Sequence, residues 1–517
     1  MVRLTLASVV AVCAASAAWV ACSNSSTTSP SDAGPVSDTG QPTIDTGAPD
    51  SAPQGLTLAL ACSDSIDSVY GDPGTLPADK GDIIKCAHDR DLTVSDITTT
   101  LQADTSQDYP PATNLGYTGK PLTSGAHIYR VSYRTERGDT NNTPGYTSAE
   151  LLIPDTPRAA SLPIMVASHG SRGQGASCTA SLETDAGWDV NGDYVALSLS
   201  LVGFGYAVLM PDLPGYANYG APNNPASAYA SAADVGKATL DGARAMTKLF
   251  SSGLAKQTVL VGHSQGGHTA LSALAMAGSY GDPTLPVTAV AVYSPLWFSE
   301  ATWGALLFEA DSYPIADLPS ANAVSVWYHY THANLLDGPD AGSALFQASK
   351  VAAIQNFVNN DCWGSWNDLI EAGTSLADLF DPAFISSVGK PAGLGSPCPK
   401  SDAVCATWAA RYAADRPHLS TQVPILIEYG ANDTTIDPTR MACVTDRLKS
   451  DSVAYTFCLD PSVGHQGIVR AHADYVADWI AAQTLGGTAP AACALTDKNL
   501  VDDAGAAIQC ATPPPNN

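Results

Sequence analysis

The sequence predicts an α/β fold with a mostly parallel central sheet, helices on both faces and a helical cap inserted late in the chain. Three observations predict it. Thr258–Val261 is a run of β-branched and aliphatic residues that passes through Gly262-His263-Ser264-Gln265-Gly266 into a small-residue helical face at Ala270, Leu271, Leu274 and Ala275. That is the pattern of a buried parallel strand turning directly into a helix. Downstream, Pro424–Gly430 and Val453–Asp460 are two further apolar strands, each breaking into a loop before a helix. Between the strand Val287–Tyr293 and Pro424 lie about 130 residues that fit neither, carrying Trp297, Phe298, Trp303, Phe308, Trp327 and Tyr328.

From the start of the chain, Met1–Val2–Arg3 gives a positive beginning and Leu4 to Ala21 an apolar stretch, the pattern of an export signal. The stretch ends in Trp19-Val20-Ala21-Cys22, similar to a bacterial lipoprotein cleavage box, although tryptophan stands where leucine is usual. Residues 1–22 are therefore assigned as a signal with Cys22 as the lipidation site. Plain secretion and an uncleaved anchoring helix are the alternatives. Residues 23–55 are Ser, Thr, Pro, Asp and Gly with few large apolar side chains, too little to offset the entropy of ordering, and read as a flexible tether. The remaining 460 or so residues exceed what one compact core usually holds. They divide into a core over 56–294 and 424–484, an inserted cap over 295–423 and a loop-rich tail over 485–517.

Within the core, Leu162–Gly175 is a strand that ends in His169-Gly170 and opens into a glycine-rich loop. Ala226–Phe250 has apolar positions at helical spacing and is expected to pack under the strand before Ser264. A last helix is expected from about Gln466 to Gln483. Asp189, Asn191 and Asp193 alternate as in a calcium loop, but the glycine and distal glutamate of such a loop are missing, so calcium is not expected. Ten histidines are present, and none shows metal-ligand spacing. His263 and His268 are expected to pack or hydrogen-bond beside Ser264; His329, His332 and His418 fall in the insertion, and His88 and His127 precede the core.

A serine on a sharp strand-to-helix turn flanked by glycines is exposed for attack, and it needs a base and an orienting acid. Asp433 lies in the loop just past Pro424–Gly430, and His465 in the loop after Val453–Asp460. Asp437, before Pro438, reads rather as a helix cap and is the alternative acid. Ser264 is thus the expected nucleophile, Asp433 the acid and His465 the base. The oxyanion site is expected from the N–H of Gln265 and that of Ser171, with Gly170 as the alternative to Ser171. Arg172 beside it is either a substrate contact or a solvated charge.

The strings YRVSYRTERG, YTSAELLIP, PIMVASHGSRG, GYAVLMPDLPGYANYG, VGHSQGGHTAL, GANDTTIDP and VGHQG, in that order between Tyr129 and Ile480, resemble the α/β-hydrolase superfamily. Within it the chain is similar to the secretory lipases of the lipase-A type. The resemblance implies the Ser264, Asp433, His465 triad and hydrolysis of carboxylic esters, with no cofactor. The segment after Val290–Phe298 matches no familiar lid, so the resemblance implies nothing about acyl-chain length. A serine peptidase of the same fold and a non-catalytic surface lipoprotein are the competing readings.

Composition narrows the partners. With 24 basic against 50 acidic residues the formal charge is −26, which disfavours nucleic acid. A small-molecule or lipid ester is the expected substrate, with a membrane tether through Cys22 and an extracytoplasmic site of action. Setting aside Cys13 and Cys22 leaves ten of the twelve cysteines, an even number that argues for disulfides in an exported chain. Short separations suggest Cys62–Cys86, Cys398–Cys405, Cys443–Cys458 and Cys493–Cys510, leaving Cys178 with Cys362.

Overall fold

The computed structural model describes residues 55–103, 116–182, 193–217, 224–298, 306–307, 310–311, 314–393, 397–502 and 504–510. The signal, nearly all of the tether, Cys22, Asp189, Asn191, Trp303 and Phe308 lie outside these residues.

Nine strands make one sheet: β1 (Ile83–Leu92), β2 (Ala126–Glu136), β3 (Pro144–Pro154), β4 (Leu162–Ser168), β5 (Val208–Pro211), β6 (Leu254–His263), β7 (Val287–Tyr293), β8 (Ile425–Gly430) and β9 (Tyr455–Asp460). Their order across the sheet is β9-β8-β7-β6-β4-β5-β3-β2-β1. The six strands from β9 to β5 pair in parallel, whereas β1, β2 and β3 form an antiparallel edge. The parallel strands β4 and β8 are buried along their whole length, as strands inside a parallel sheet are.

The helices used below are α1 (Val94–Gln102), α2 (Asp193–Gly203), α3 (Ala232–Leu249), α4 (Gln265–Met276), α5 (Pro319–Leu336), α6 (Val351–Asn360), α7 (Pro382–Gly393), α8 (Ala403–Ala414), α9 (Pro438–Ser450) and α10 (Ala473–Thr484). Helix α3 begins six residues later than expected and lies along α4 and across β2, β4 and β5; Gly242 on it faces Tyr133, Leu209 and Val166. It therefore supports the strands beside β6 more than β6 itself. The last helix is broken: Gly467–Ala471 ends at His472, which starts α10.

Helices α5 to α8 lie between β7 and β8 in sequence. Trp327 on α5 stacks on Phe357 of α6 at 5.4 Å and 3°, with Trp363 and Trp366 around it, so these aromatics are packed against one another. Asp415 ties this region to the sheet side. Its carboxylate accepts from Tyr328 Oη–H (2.6 Å), His332 Nε2–H (2.8 Å) and the Ala232 N–H (2.8 Å), and its carbonyl from His268 Nε2–H (2.7 Å).

Five disulfides join described cysteines. Cys62–Cys86, Cys178–Cys362 and Cys398–Cys405 form as expected, but Cys443 pairs with Cys510 and Cys458 with Cys493. The tail explains the exchange. The Leu459 N–H donates to the Leu495 carbonyl at 3.1 Å, so the tail runs beside β9 and carries Cys493 to Cys458 before it reaches α9. Among the described residues no helix is long and apolar enough to cross a membrane.

Candidate active site

Ser264 occupies the turn between β6 and α4 with φ 55° and ψ −119°, a conformation that is strained for any residue with a side chain. The chain can turn this tightly because its neighbours are glycines. A Cβ on Gly262 would stand 2.0 Å from the Gly266 carbonyl oxygen, and one on Gly266 would stand 1.9 Å from that of Ser168. The turn is locked by Ser264 N–H to Tyr293 O (2.9 Å) and Leu296 N–H to Ser264 O (2.8 Å).

Asp433 and His465 meet beyond the carboxyl ends of β8 and β9. His465 Nδ1–H donates to Asp433 Oδ2 at 2.7 Å, while Asp433 Oδ1 accepts the N–H groups of Thr435 and Ile436 at 2.9 and 2.8 Å. Both carboxylate oxygens are thereby engaged and the ring tautomer is set, with Nε2 left as the acceptor. Ser264, Asp433 and His465 are all buried, at 6, 2 and 7% exposure. Asp437 caps α9 through the N–H groups of Thr439 and Arg440, as its position before Pro438 implied.

His263 connects the elbow to the loop of His465. Its Nδ1 lies 3.0 Å from Asp193 Oδ2 and its Nε2 2.8 Å from the His465 carbonyl oxygen, and the two imidazole centroids are 4.5 Å apart. Both ring nitrogens face oxygen atoms, so the ring is held at both ends. Asp193, at the start of α2, also accepts the Gly170 N–H at 2.6 Å and has Arg172 Nη1 at 3.7 Å. Burial works to raise this carboxyl, but the His263 hydrogen bond, the nearby charges and the Gly170 amide hold it below the usual carboxylate range. One buried carboxylate thus clamps the elbow, the glycine-rich loop and, through His263, the histidine loop.

Two expectations change here. The Gly170 N–H is committed to Asp193, which removes Gly170 as an oxyanion donor. Arg172 is buried at 5% exposure rather than solvated, and its carbonyl accepts the Trp363 N–H at 2.9 Å. Ser171 Oγ is 2.7 Å from the Tyr229 hydroxyl, and the Tyr229 N–H donates to Thr331 Oγ1 on α5 at 3.1 Å. With the Cys178–Cys362 disulfide, these contacts stitch the glycine-rich loop to the inserted helices. Phe298 does the same for the elbow helix, packing on His268 at 5.3 Å and on Tyr328 at 5.6 Å.

Sequence reasoning missed a second cluster beside the site. His472 places Nδ1 2.5 Å from Glu428 Oε2 and Nε2 3.2 Å from Asp460 Oδ2. Burial alone would lower the ring, yet the two carboxylates raise it to about 10. Burial pushes Glu428 up to about 7, with His472 pulling against that rise. The cluster joins β8 and β9, whose following loops hold Asp433 and His465. Only the polar residue inside an otherwise apolar strand at Glu428 could have signalled it. His329 of the inserted region is structural: it hydrogen-bonds Ser325 O and Tyr412 Oη, and burial lowers it to about 3.

The sequence profile described as the alpha/beta hydrolase family matches residues 166–479. No curated protein sequence is similar to the chain at a significant level. Solved structures are: the rice cell wall degrading esterase LipA from Xanthomonas oryzae is 19% identical, with 79% of this chain and 99% of that one covered and a TM-score of 0.55. A putative hydrolase from Legionella pneumophila is 16% identical over 78% of this chain and 99% of its own, with a TM-score of 0.57. Candida antarctica lipase A in its closed state is 17% identical over 90% of this chain and 91% of its own, with a TM-score of 0.53. At these identities the likeness is one of fold.

Proposed function

The chain belongs to the alpha/beta hydrolase family, and from that premise we propose that it is an exported carboxylic-ester hydrolase that works through an acyl-enzyme on Ser264. The observation that carries this reading is the Asp433–His465 pair, set by the His263 hydrogen bond against the strained turn that holds Ser264. His465 Nε2 takes the Ser264 proton as Oγ attacks the ester carbonyl, then returns it to the departing alcohol. Water repeats the sequence to release the acid. Asp433 holds the tautomer and stabilises the imidazolium. The N–H groups of Gln265 and Ser171 receive the oxyanion. Inserted helices against both the elbow and the glycine-rich loop form the wall of the acyl site and exclude water from it.

Fold likeness to an esterase and a lipase supports an ester substrate over a peptide. The five disulfides support an extracytoplasmic location, and the Cys22 box a lipid tether. The test is turnover of p-nitrophenyl esters from short to long acyl chains by the wild type and by Ser264→Ala. The wild type hydrolyses the series with an optimum set by the pocket, and the variant folds but loses turnover. Near-normal turnover by the variant refutes the mechanism.

A further inference from the structure

Three side chains that the proposed chemistry does not use converge on one point at the antiparallel edge of the sheet. We propose that His88, Asp91 and His127 form a binding site for a divalent transition metal, zinc above all, with Asp155 holding His127 from behind. His88 Nε2 lies 2.9 Å and His127 Nδ1 2.7 Å from the same oxygen, Asp91 Oδ1. The three ligand atoms lie within 4.8 Å of one another.

The backbone is built to bring them together. The β1–β2 register sets Asp91 directly opposite His127. In a regular strand, residues 88 and 91 would face opposite sides, since side chains alternate. The register shifts between His88 and Arg90, and such a bulge re-aims a side chain, here turning His88 to the face of Asp91. Tyr129, opposite His88, packs edge-on against its ring at 5.1 Å. The fourth group is also placed. His127 Nε2 is 3.1 Å from Asp155 Oδ1. A Cβ on residue 125 would stand 2.3 Å from Asp155 Oδ2, so the glycine there leaves the carboxylate its room.

Two imidazole nitrogens and a carboxylate oxygen are a donor set that zinc accepts. Opening the N···O separations to about 3.3 Å admits an ion about 2.0–2.1 Å from each ligand in tetrahedral geometry. Asp155 then accepts the Nε2–H of His127, the carboxylate–histidine–metal arrangement that fixes ring orientation. The side chains are half exposed, at 45% for His88, 59% for Asp91 and 47% for His127, so water completes the shell. A formal charge of −26 favours cation capture. The bound ion would pin β1, the edge strand, to β2, and stabilise the fold by preferential binding to it. No linear spacing announces this site, because a strand pair and a bulge assemble it.

The test is titration of zinc into the EDTA-stripped full chain in competition with a chromophoric chelator. His88→Ala, His127→Ala, Asp155→Asn and, as a control, His418→Ala are run alongside. All are exposed positions, and melting curves in EDTA verify that each variant folds. The wild type and His418→Ala should hold one equivalent more than His88→Ala or His127→Ala, and Asp155→Asn should bind about 10–100-fold more weakly. Zinc should raise the wild-type Tm and leave that of His127→Ala unchanged. Failure of the wild type to bind zinc overturns the proposal. Binding that His88→Ala and His127→Ala leave intact overturns it equally.

Discussion

Asp433→Asn separates orientation of the base from folding of the site. The asparagine carbonyl still accepts from the Thr435 and Ile436 N–H groups, now made at 2.9 and 2.8 Å, so the loop keeps its shape. The other oxygen becomes an NH2 facing His465 Nδ1, 2.7 Å away in the wild type. Two donors cannot share that contact. The imidazole therefore moves its proton to Nε2, the nitrogen that has to receive the Ser264 proton. A wrong tautomer of this kind lowers kcat by about 10,000-fold, or about 5 kcal/mol of barrier. Stability should fall far less, by about 1.5–3 kcal/mol, because one charge-assisted hydrogen bond is lost. The assay is steady-state hydrolysis of a short p-nitrophenyl ester together with a urea midpoint. A folded Asp433→Asn protein with kcat within tenfold of wild type would show that another group orients His465.

His263→Ala removes the donor to the His465 carbonyl and leaves Asp193 buried without its main partner. It should cost about 1–3 kcal/mol of stability and lower kcat by about tenfold or more with KM within about twofold, since the base is displaced rather than the substrate contact. Adding Asp193→Asn should recover part of the urea midpoint without recovering kcat; joint recovery would reduce the pair to a folding role. His472→Gln tests the second cluster through pH. His472 is raised in the fold to about 10 from an ordinary 6.5, so its stabilisation is full below about pH 6.5 and lost as pH climbs through about 10. Denaturation midpoints of wild type and His472→Gln should therefore differ most near pH 6 and converge by pH 10, and a constant gap would contradict the charge assignment.

The parallel strands were legible because a strand buried on both faces needs an apolar run, and Leu162–Ala167, Val259–Val261, Ala289–Val292 and Ile425–Ile427 supply one each. The elbow was legible because Gly262 and Gly266 leave no space for a Cβ. Asp433 and His465 were expected in loops just past two strand ends, and the structure brings those two side chains together there. What failed to show depends on contacts between distant segments. Asp193 resembled part of a calcium loop, whereas it meets His263 and Gly170 across 70 and 23 residues. The swapped disulfides follow from the tail running along β9, which no separation between cysteines encodes. The break at His472 falls where its ring meets Glu428 and Asp460 on two neighbouring strands, contacts that no local spacing encodes.

The central claim is that Ser264 is an activated nucleophile, and mass spectrometry of the intact and digested protein after fluorophosphonate treatment tests it most directly. One phosphonyl adduct per chain, mapped to Ser264 and lost in His465→Ala, is the predicted result. A protein that stays unlabelled while folded, or one labelled at another serine, would contradict the account.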